Sequence, residues 1–442
     1  KVSIMSSTQR RRLLELATKM LFDVPSTRRP LPATSTVESL FSSHFPSSLP
    51  VTGLGGEEAL RLLSSCAIAG AAKLDHVGYM AHMDPASADE ALAASVWQVS
   101  ANNNVLHPDA APAARMLEER LIQWIAPKFG MSGGHVTTGS TVANLTALWA
   151  ARDVLGVRRV VVSDRGHNSV EKACNLLGLG LVRAKACATT HSLRRGALEE
   201  ALGDDEMERK RTAVVSTAGT VATGAVDELL SSEQLGVAWV HCDAAWAGPL
   251  KFASSSTKSK NISEVLSGLE AAESCSFSAH KWLYQPKGCA FILFGSGVHD
   301  KAREAMSFGG GYLAAATVGV NGSQAASCIP LAATLLSWGE DGLSSRLEGD
   351  VRKAEELADL VERDERFELF PRSKTGIVCW RPKGGVDVKG LRDAVAGEVW
   401  ISTTIIDGEI WLRSVAANPN ADPAKLFTAI SSALEERSST SS

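Results

Sequence analysis

The chain has 442 residues, with 45 Lys and Arg against 49 Asp and Glu, 45% hydrophobic and 6% aromatic residues, 37 glycines and only three tyrosines. A net charge of −4 and a pI near 6.3 lack the electrostatic footprint of a nucleic-acid binder, which needs clustered Lys and Arg to neutralise phosphates, although a small anionic ligand stays open. The eight cysteines are scattered with no CxxC pair and no His at zinc spacing, and no apolar run approaches the roughly 18 residues of a membrane span, so disulfide scaffolds, structural zinc and spanning helices are excluded.

In chain order, residues 1–36 carry seven basic and two acidic residues, and the start at Lys1 in place of Met points to a trimmed end. Two readings stand: an organelle transit peptide, or an amphipathic helix with Leu13, Leu16, Ala17 and Met20 at helical spacing. Pro, Ser and Thr crowd Pro25 to Pro50, which reads as an extended arm. A helix is expected over Glu57 to Ala72. From Arg115 onward, long helical periods alternate with short apolar runs such as Val160 to Ser163, Ala213 to Ser216 and Val237 to His241. Strands buried on both faces and separated by helices mean a mostly parallel sheet in an α/β domain. Helical stretches at Pro330 to Trp338 and Leu343 to Val361 precede the strand candidates GIVCWRP, EVWISTTII and EIWLRSVA and a last helix from Pro423 to Glu436. The expected division is an N-terminal helix and arm (1–65), a large domain (66–339) and a small α+β domain with a disordered tail (340–442).

Ligands of open α/β sheets gather at the carboxyl ends of strands, and three segments with chemistry sit there. The turn around Gly139, Ser140 and Thr141 runs straight into a helix, where backbone N–H groups favour an anion such as phosphate; a plain N-cap is the simpler alternative. Asp243 ends the apolar run WVHCD and is open to three roles: structural acid, metal ligand, or partner of a protonated ring nitrogen. Lys281 follows 38 residues later, between His280 and Trp282 in SFSAHKWLYQPKG. Burial there would lower its pKa and free the amine for a Schiff base, whereas an ordinary salt bridge would leave it inert. An anion cradle, a pyridinium partner and an amine for an aldehyde are together what pyridoxal 5′-phosphate demands.

With GYMAHMDP, NNNVLHPDAAPAARMLEER, TTGSTVANLTALWAAR, SDRGHNSVEKA, STAGTVATGAVD, HCDAAWAG, SAHKWLYQPKG, FGGGYL and WLRSVAANP in this order, the sequence resembles the group II pyridoxal-phosphate-dependent amino acid decarboxylases. The resemblance implies fold type I: a large domain built on a mostly parallel, seven-stranded type of sheet flanked by helices, with a small C-terminal α+β domain. It further implies that Lys281 forms the Schiff base and that Asp243 pairs with the ring nitrogen. Ala245 would lie on one ring face, with His167 stacked on the other near the substrate carboxylate. Gly139, Ser140, Thr141, Ser278 and His280 resemble phosphate ligands, Thr217 the threonine near the ring, and Ser323 a serine given to the neighbouring subunit's phosphate. Arg413 resembles a substrate-carboxylate ligand, with a plain salt bridge as its alternative. Tyr312, in the glycine-rich FGGGYL segment, is the leading proton donor to Cα, with His167 and Lys281 as rivals. His82, Trp97, Asn102, Asn103, His107 and Trp246 are candidates to line the substrate side.

Departures from the family pattern are Val142 for Glu, Trp246 for Tyr after DAA, Gln324 for Arg, and Ser278 for Asp or Asn. The expected activity is decarboxylation of an L-amino acid to its amine, in a cytoplasmic homodimer with shared sites, without metal, nucleic-acid or membrane partners. Aminotransferase, aldehyde synthase and carbon–carbon lyase chemistry are the alternatives on the same cofactor. The NNNVLHPD and TGSTVANLTALWAAR segments are most similar to bacterial diaminobutyrate-type and aspartate-type decarboxylases.

Overall fold

The computed structural model describes residues 7–23, 29–107, 109–253, 262–306 and 319–440. Its strands in chain order are β1 (Tyr79–Met80), β2 (Gly133–Thr137), β3 (Arg159–Ser163), β4 (Gly180–Ala184), β5 (Thr212–Thr217), β6 (Trp239–Asp243), β7 (Ser274–Ser278), β8 (Ala290–Phe294), β9 (Phe367–Leu369), β10 (Ile377–Pro382), β11 (Trp400–Ile406) and β12 (Glu409–Val415). Contacts divide the chain into two compact units.

The larger unit, Met80–Lys389 with Ile401–Pro419, holds a seven-stranded sheet in the order β2-β8-β7-β6-β5-β3-β4. β3 pairs in parallel with β4 and β5, β5 with β6, and β6 with β7, while β8 runs antiparallel to both β2 and β7. Every residue of β5 to β8 is buried, which is why these strands read as continuous apolar or small-residue runs rather than alternating ones. Helix Ser140–Leu155 contributes Ala143, Ala147, Ala150 and Ala151 to the core, small side chains that let it lie close. Phe277 stacks between Phe129 at 4.9 Å and Phe291 at 4.8 Å, each pair adding about 0.5–1.5 kcal/mol to the burial of its rings. Because only β8 is reversed, the carboxyl ends of β2, β3, β5, β6 and β7 share one edge of the sheet, and the site forms there.

A second, antiparallel sheet sets β12 between β11 and β10, with β9 on the far side of β10. The β11–β12 hairpin turns at Asp407 and Gly408, both with positive φ (50° and 87°), as an Asp-Gly two-residue turn requires. Helix Cys328–Arg363 is broken at Gly339 (φ 61°, ψ −172°), which separates the two helical stretches that the sequence shows.

The smaller unit gathers residues up to Tyr79 with Gly390–Trp400 and the segment from Asn420. Helix Ser7–Asp23 forms where the apolar spacing at Leu13, Leu16, Ala17 and Met20 places it. Within the Pro- and Ser-rich stretch, however, Thr34–His44 is helical rather than extended. Val37, Leu40 and Phe41 supply helical spacing, and the half-buried Val37 lies 3.6 Å from where a Cβ at Gly70 would stand. This packing outweighs weak local propensity. The helix at Glu57 runs as Gly56–Leu63 and ends in a π-turn, Ser64–Ile68. No helix among the described residues is long and apolar enough to cross a membrane.

Candidate active site

A cavity of about 410 Å³ opens at the carboxyl edge of the large sheet. Its walls bring together Gly139, Ser140, Thr141, His167, Thr217, Asp243, Ala245, Trp246, Ser278, His280 and Lys281, residues drawn from five separate sequence segments. On one side, helix Ser140–Leu155 begins at Gly139 with no side chain capping it, so its amino end faces the cavity as an anion site. The Ser140 and Ser278 hydroxyls converge there at 2.6 Å. His280 donates its Nδ1–H to the Cys289 carbonyl at 2.9 Å, and burial pushes its pKa down to about 4, leaving the ring neutral.

On the opposite side Asp243 ends β6, nearly fully buried. Its Oδ1 accepts the Ala245 N–H at 3.1 Å and its Oδ2 accepts Asn144 Nδ2 at 2.7 Å. Two charge-assisted hydrogen bonds hold a carboxylate that would be costly to bury alone. Between the two sides stands Lys281. Burial brings its pKa down from 10.5 to about 8, against the opposing pull of Asp243. Thr217, at the end of β5, is fixed through its backbone: Asp227 accepts the Thr217 and Leu193 N–H groups, both at 2.7 Å. Trp246 is a rigid wall. Its Nε1 donates to the Thr375 carbonyl at 2.7 Å, its ring lies 4.6 Å from that of Trp282, and Gly219 at φ 97° leaves room where a Cβ would come within 2.7 Å of it.

The donor set fits a ligand with a phosphate at one end, an aldehyde in reach of a reactive amine, and a basic ring nitrogen opposite a buried carboxylate. Comparison with known proteins decides the matter: a model of the pyridoxal-dependent decarboxylase conserved domain matches residues 68–383, well over half of the chain. The chain belongs to the pyridoxal-dependent decarboxylase family. It is an enzyme of the carboxy-lyase kind, and its cofactor is pyridoxal 5′-phosphate. Over 413 residues it is 28% identical to an L-2,4-diaminobutyrate decarboxylase of Rhizobium meliloti, covering 85% of this chain and 81% of the relative. A phenylacetaldehyde synthase of Petunia hybrida is 26% identical over 71% of this chain and 71% of its own length. In fold, it is similar to Oryza sativa TDC, solved with PLP and tryptamine, with a TM-score of 0.85 at 20% identity over 99% of this chain and all of that one.

Other residues of this decarboxylase singled out from the sequence lie away from the cavity wall. Ser323 is exposed, its hydroxyl 3.4 Å from Asn104 Nδ2. Trp97 is 69% exposed on helix Asp89–Ala101, and Asn103 turns its side chain back to the Ala101 carbonyl at 3.1 Å. Neither His82, Asn102 nor His107 is part of the wall. Arg413, on β12, is buried and close enough for its charge to lower the pKa values of Lys281 and His82. Tyr312 lies outside the described residues; the other two tyrosines are buried off the wall, Tyr284 hydrogen-bonded to Asp350. Conversely, Asn144, Gly219 and Lys287 line the cavity without having been singled out. Asn144 was within reach of the sequence: it stands one helical turn after Ser140 and so shares its face.

Proposed function

We propose that this enzyme converts an L-amino acid to the corresponding amine and carbon dioxide, with Lys281 as the residue that holds the cofactor. The observation that carries the reading is the meeting, in one cavity of a decarboxylase-family chain, of a lysine with a lowered pKa and a doubly hydrogen-bonded Asp243. The bound cofactor supplies an electron-poor ring that takes up the electron pair released when the Cα–carboxylate bond breaks. Asp243 offers its fixed negative charge to the ring nitrogen, and Ala245 and His167 bracket the ring. Gly139, Ser140, Thr141 and Ser278 bind the phosphate through hydrogen bonds and the helix amino end, and the phosphate charge favours the protonated form of His280, whose Nε2–H then donates to it while Nδ1–H stays on the Cys289 carbonyl. Arg413 or His167 receives the substrate carboxylate, and Tyr312 delivers the proton to Cα, with His167 and Lys281 Nζ as the alternative donors.

A homodimer completes the site in this reading, in the cytoplasm. Leu92, Val96, Trp97 and Val99 on one helix, with Met116 and Trp124 on another, form exposed apolar surface of the kind a subunit interface covers. Ser323 and Trp97 then serve the partner's cavity. A second reading, aldehyde synthesis, is favoured by the phenylacetaldehyde synthase relative. A panel of L-amino acids headed by L-2,4-diaminobutyrate and L-aspartate, assayed for amine and aldehyde together, separates them. Amine equimolar with carbon dioxide supports decarboxylation to the amine; aldehyde, ammonia and carbon dioxide formed with uptake of dioxygen and release of hydrogen peroxide reject it.

A further inference from the structure

Beneath the cavity runs a chain of buried hydrogen bonds whose direction is set at both ends. Trp239 Nε1 can only donate, and it does so to Ser274 Oγ at 2.9 Å. The Ser274 hydroxyl is 2.9 Å from His241 Nδ1, and His241 Nε2 is 3.0 Å from Asn144 Oδ1, which also accepts the Ser276 hydroxyl at 2.6 Å. Asn144 Nδ2 then donates twice, to Asp243 Oδ2 at 2.7 Å and to Ser169 Oγ at 2.9 Å. The Asp243 carboxylate can only accept. A flipped Asn144 amide would set oxygen against that carboxylate and leave the Ser276 hydroxyl facing an NH₂ group, so the amide orientation is forced. His241, driven neutral by burial, carries its proton on Nε2, in line with the same direction.

The branch at Ser169 reaches the cavity. Ser169 Oγ accepts from Asn144, so its own proton is free for His167 Nδ1 at 2.8 Å, and the Ser169 backbone N–H points at the same nitrogen from 3.1 Å. His167 is the N-cap of helix Asn168–Leu177, and its ring nitrogen is the capping acceptor. Two donors converge on Nδ1. Of the two neutral tautomers only the one protonated at Nε2 satisfies them, and Nε2 is then the nitrogen left to act as a donor.

We infer that Ser169 is a positioning residue which, directed by Asn144, locks His167 in the Nε2–H tautomer and so makes it a hydrogen-bond donor to the substrate. This rests on the reading above that places His167 against the reacting groups. The lock ties the carboxylate that faces the ring nitrogen and the histidine that faces the substrate to a single amide, Asn144.

The test is nitrogen NMR of the cofactor-loaded protein labelled in its histidines, with His167 assigned by its loss in His167→Gln. The expected spectrum shows Nδ1 as an unprotonated, hydrogen-bonded acceptor and Nε2 as protonated. In Ser169→Ala the Nδ1 signal moves toward that of a free acceptor and kcat/KM falls by up to about tenfold, the size of one hydrogen bond, with cofactor affinity nearly unchanged. Ser169→Thr, which keeps the hydroxyl, restores both signal and rate. A wild-type His167 protonated at Nδ1, or a Ser169→Ala protein with unaltered Nδ1 signal and kcat/KM, overturns the inference. A His167→Gln enzyme with full activity overturns instead the reading of His167 on which it rests, whatever tautomer the wild type shows.

Discussion

The floor of the cavity and its mouth are built on opposite plans. On the floor, Asp243, Asn144, Ser169, His241 and Ser276 are all buried, and each is tied into one hydrogen-bonded network within the protein. At the mouth, Lys287 pairs with Asp84 while both side chains stay about half exposed, at 55% and 48%. The uncapped helix end beside them has hydroxyls nearby but no side-chain partner. The floor is therefore organised before any ligand arrives, whereas the mouth has donors and charges that a ligand can recruit. A pre-formed floor costs no reorganisation at the moment of reaction.

Breaking the floor should have the largest effect. Asn144→Ala removes a donor from a buried carboxylate and orphans His241 Nε2 and the Ser276 hydroxyl; the expected loss is about 3 kcal/mol of stability, read from the urea midpoint of the apoprotein. A change below about 1 kcal/mol would mean that water replaces the amide and that the floor is not pre-formed. Gly219→Ala tests whether the Trp246 wall belongs with the floor. At φ 97°, with the new methyl pressed on the Trp246 ring, it should cost about 1–3 kcal/mol by the same measurement.

Lys281 stands between the two plans and makes a prediction about pH. With its pKa near 8, the folded chain has released a proton that the unfolded chain still binds up to about pH 10.5. Its contribution to stability therefore rises with pH across that window, and it is smallest below about pH 8. The rate at which apoprotein takes up cofactor should climb about tenfold from pH 7 to 9 with a midpoint near 8. A midpoint above 10 would mean the lysine is not set apart from surface lysines. The smallest effect belongs to the mouth: Lys287→Gln should change folding stability by less than about 1 kcal/mol, and any difference should fade in high salt, because the pair is half exposed.

The same contrast explains what could be read from the sequence. Asp243 at the end of β6, Ser140 at a helix start and Lys281 just past β7 stand where one-dimensional pattern and the cavity coincide, whereas Thr217 was legible only through the family resemblance. The parallel core was legible because β5 and β6 are unbroken buried runs. Ser169 and His241 carry no such mark, since their roles depend on Asn144 meeting Asp243 across 99 residues of chain. The Thr34–His44 helix was hidden for a different reason: Ser and Thr content signals an arm, and only contact with the segment near Gly70 decides for a helix.

The central claim is that Lys281 and the cavity around it carry out decarboxylation. The direct measurement is carbon dioxide and amine release from the amino acid panel by the cofactor-supplemented wild type and its Lys281→Ala variant, side by side. The account predicts equimolar carbon dioxide and amine from at least one L-amino acid with wild type, and none above background with Lys281→Ala. Undiminished release by Lys281→Ala, or a wild type that yields keto acid without carbon dioxide, would contradict it.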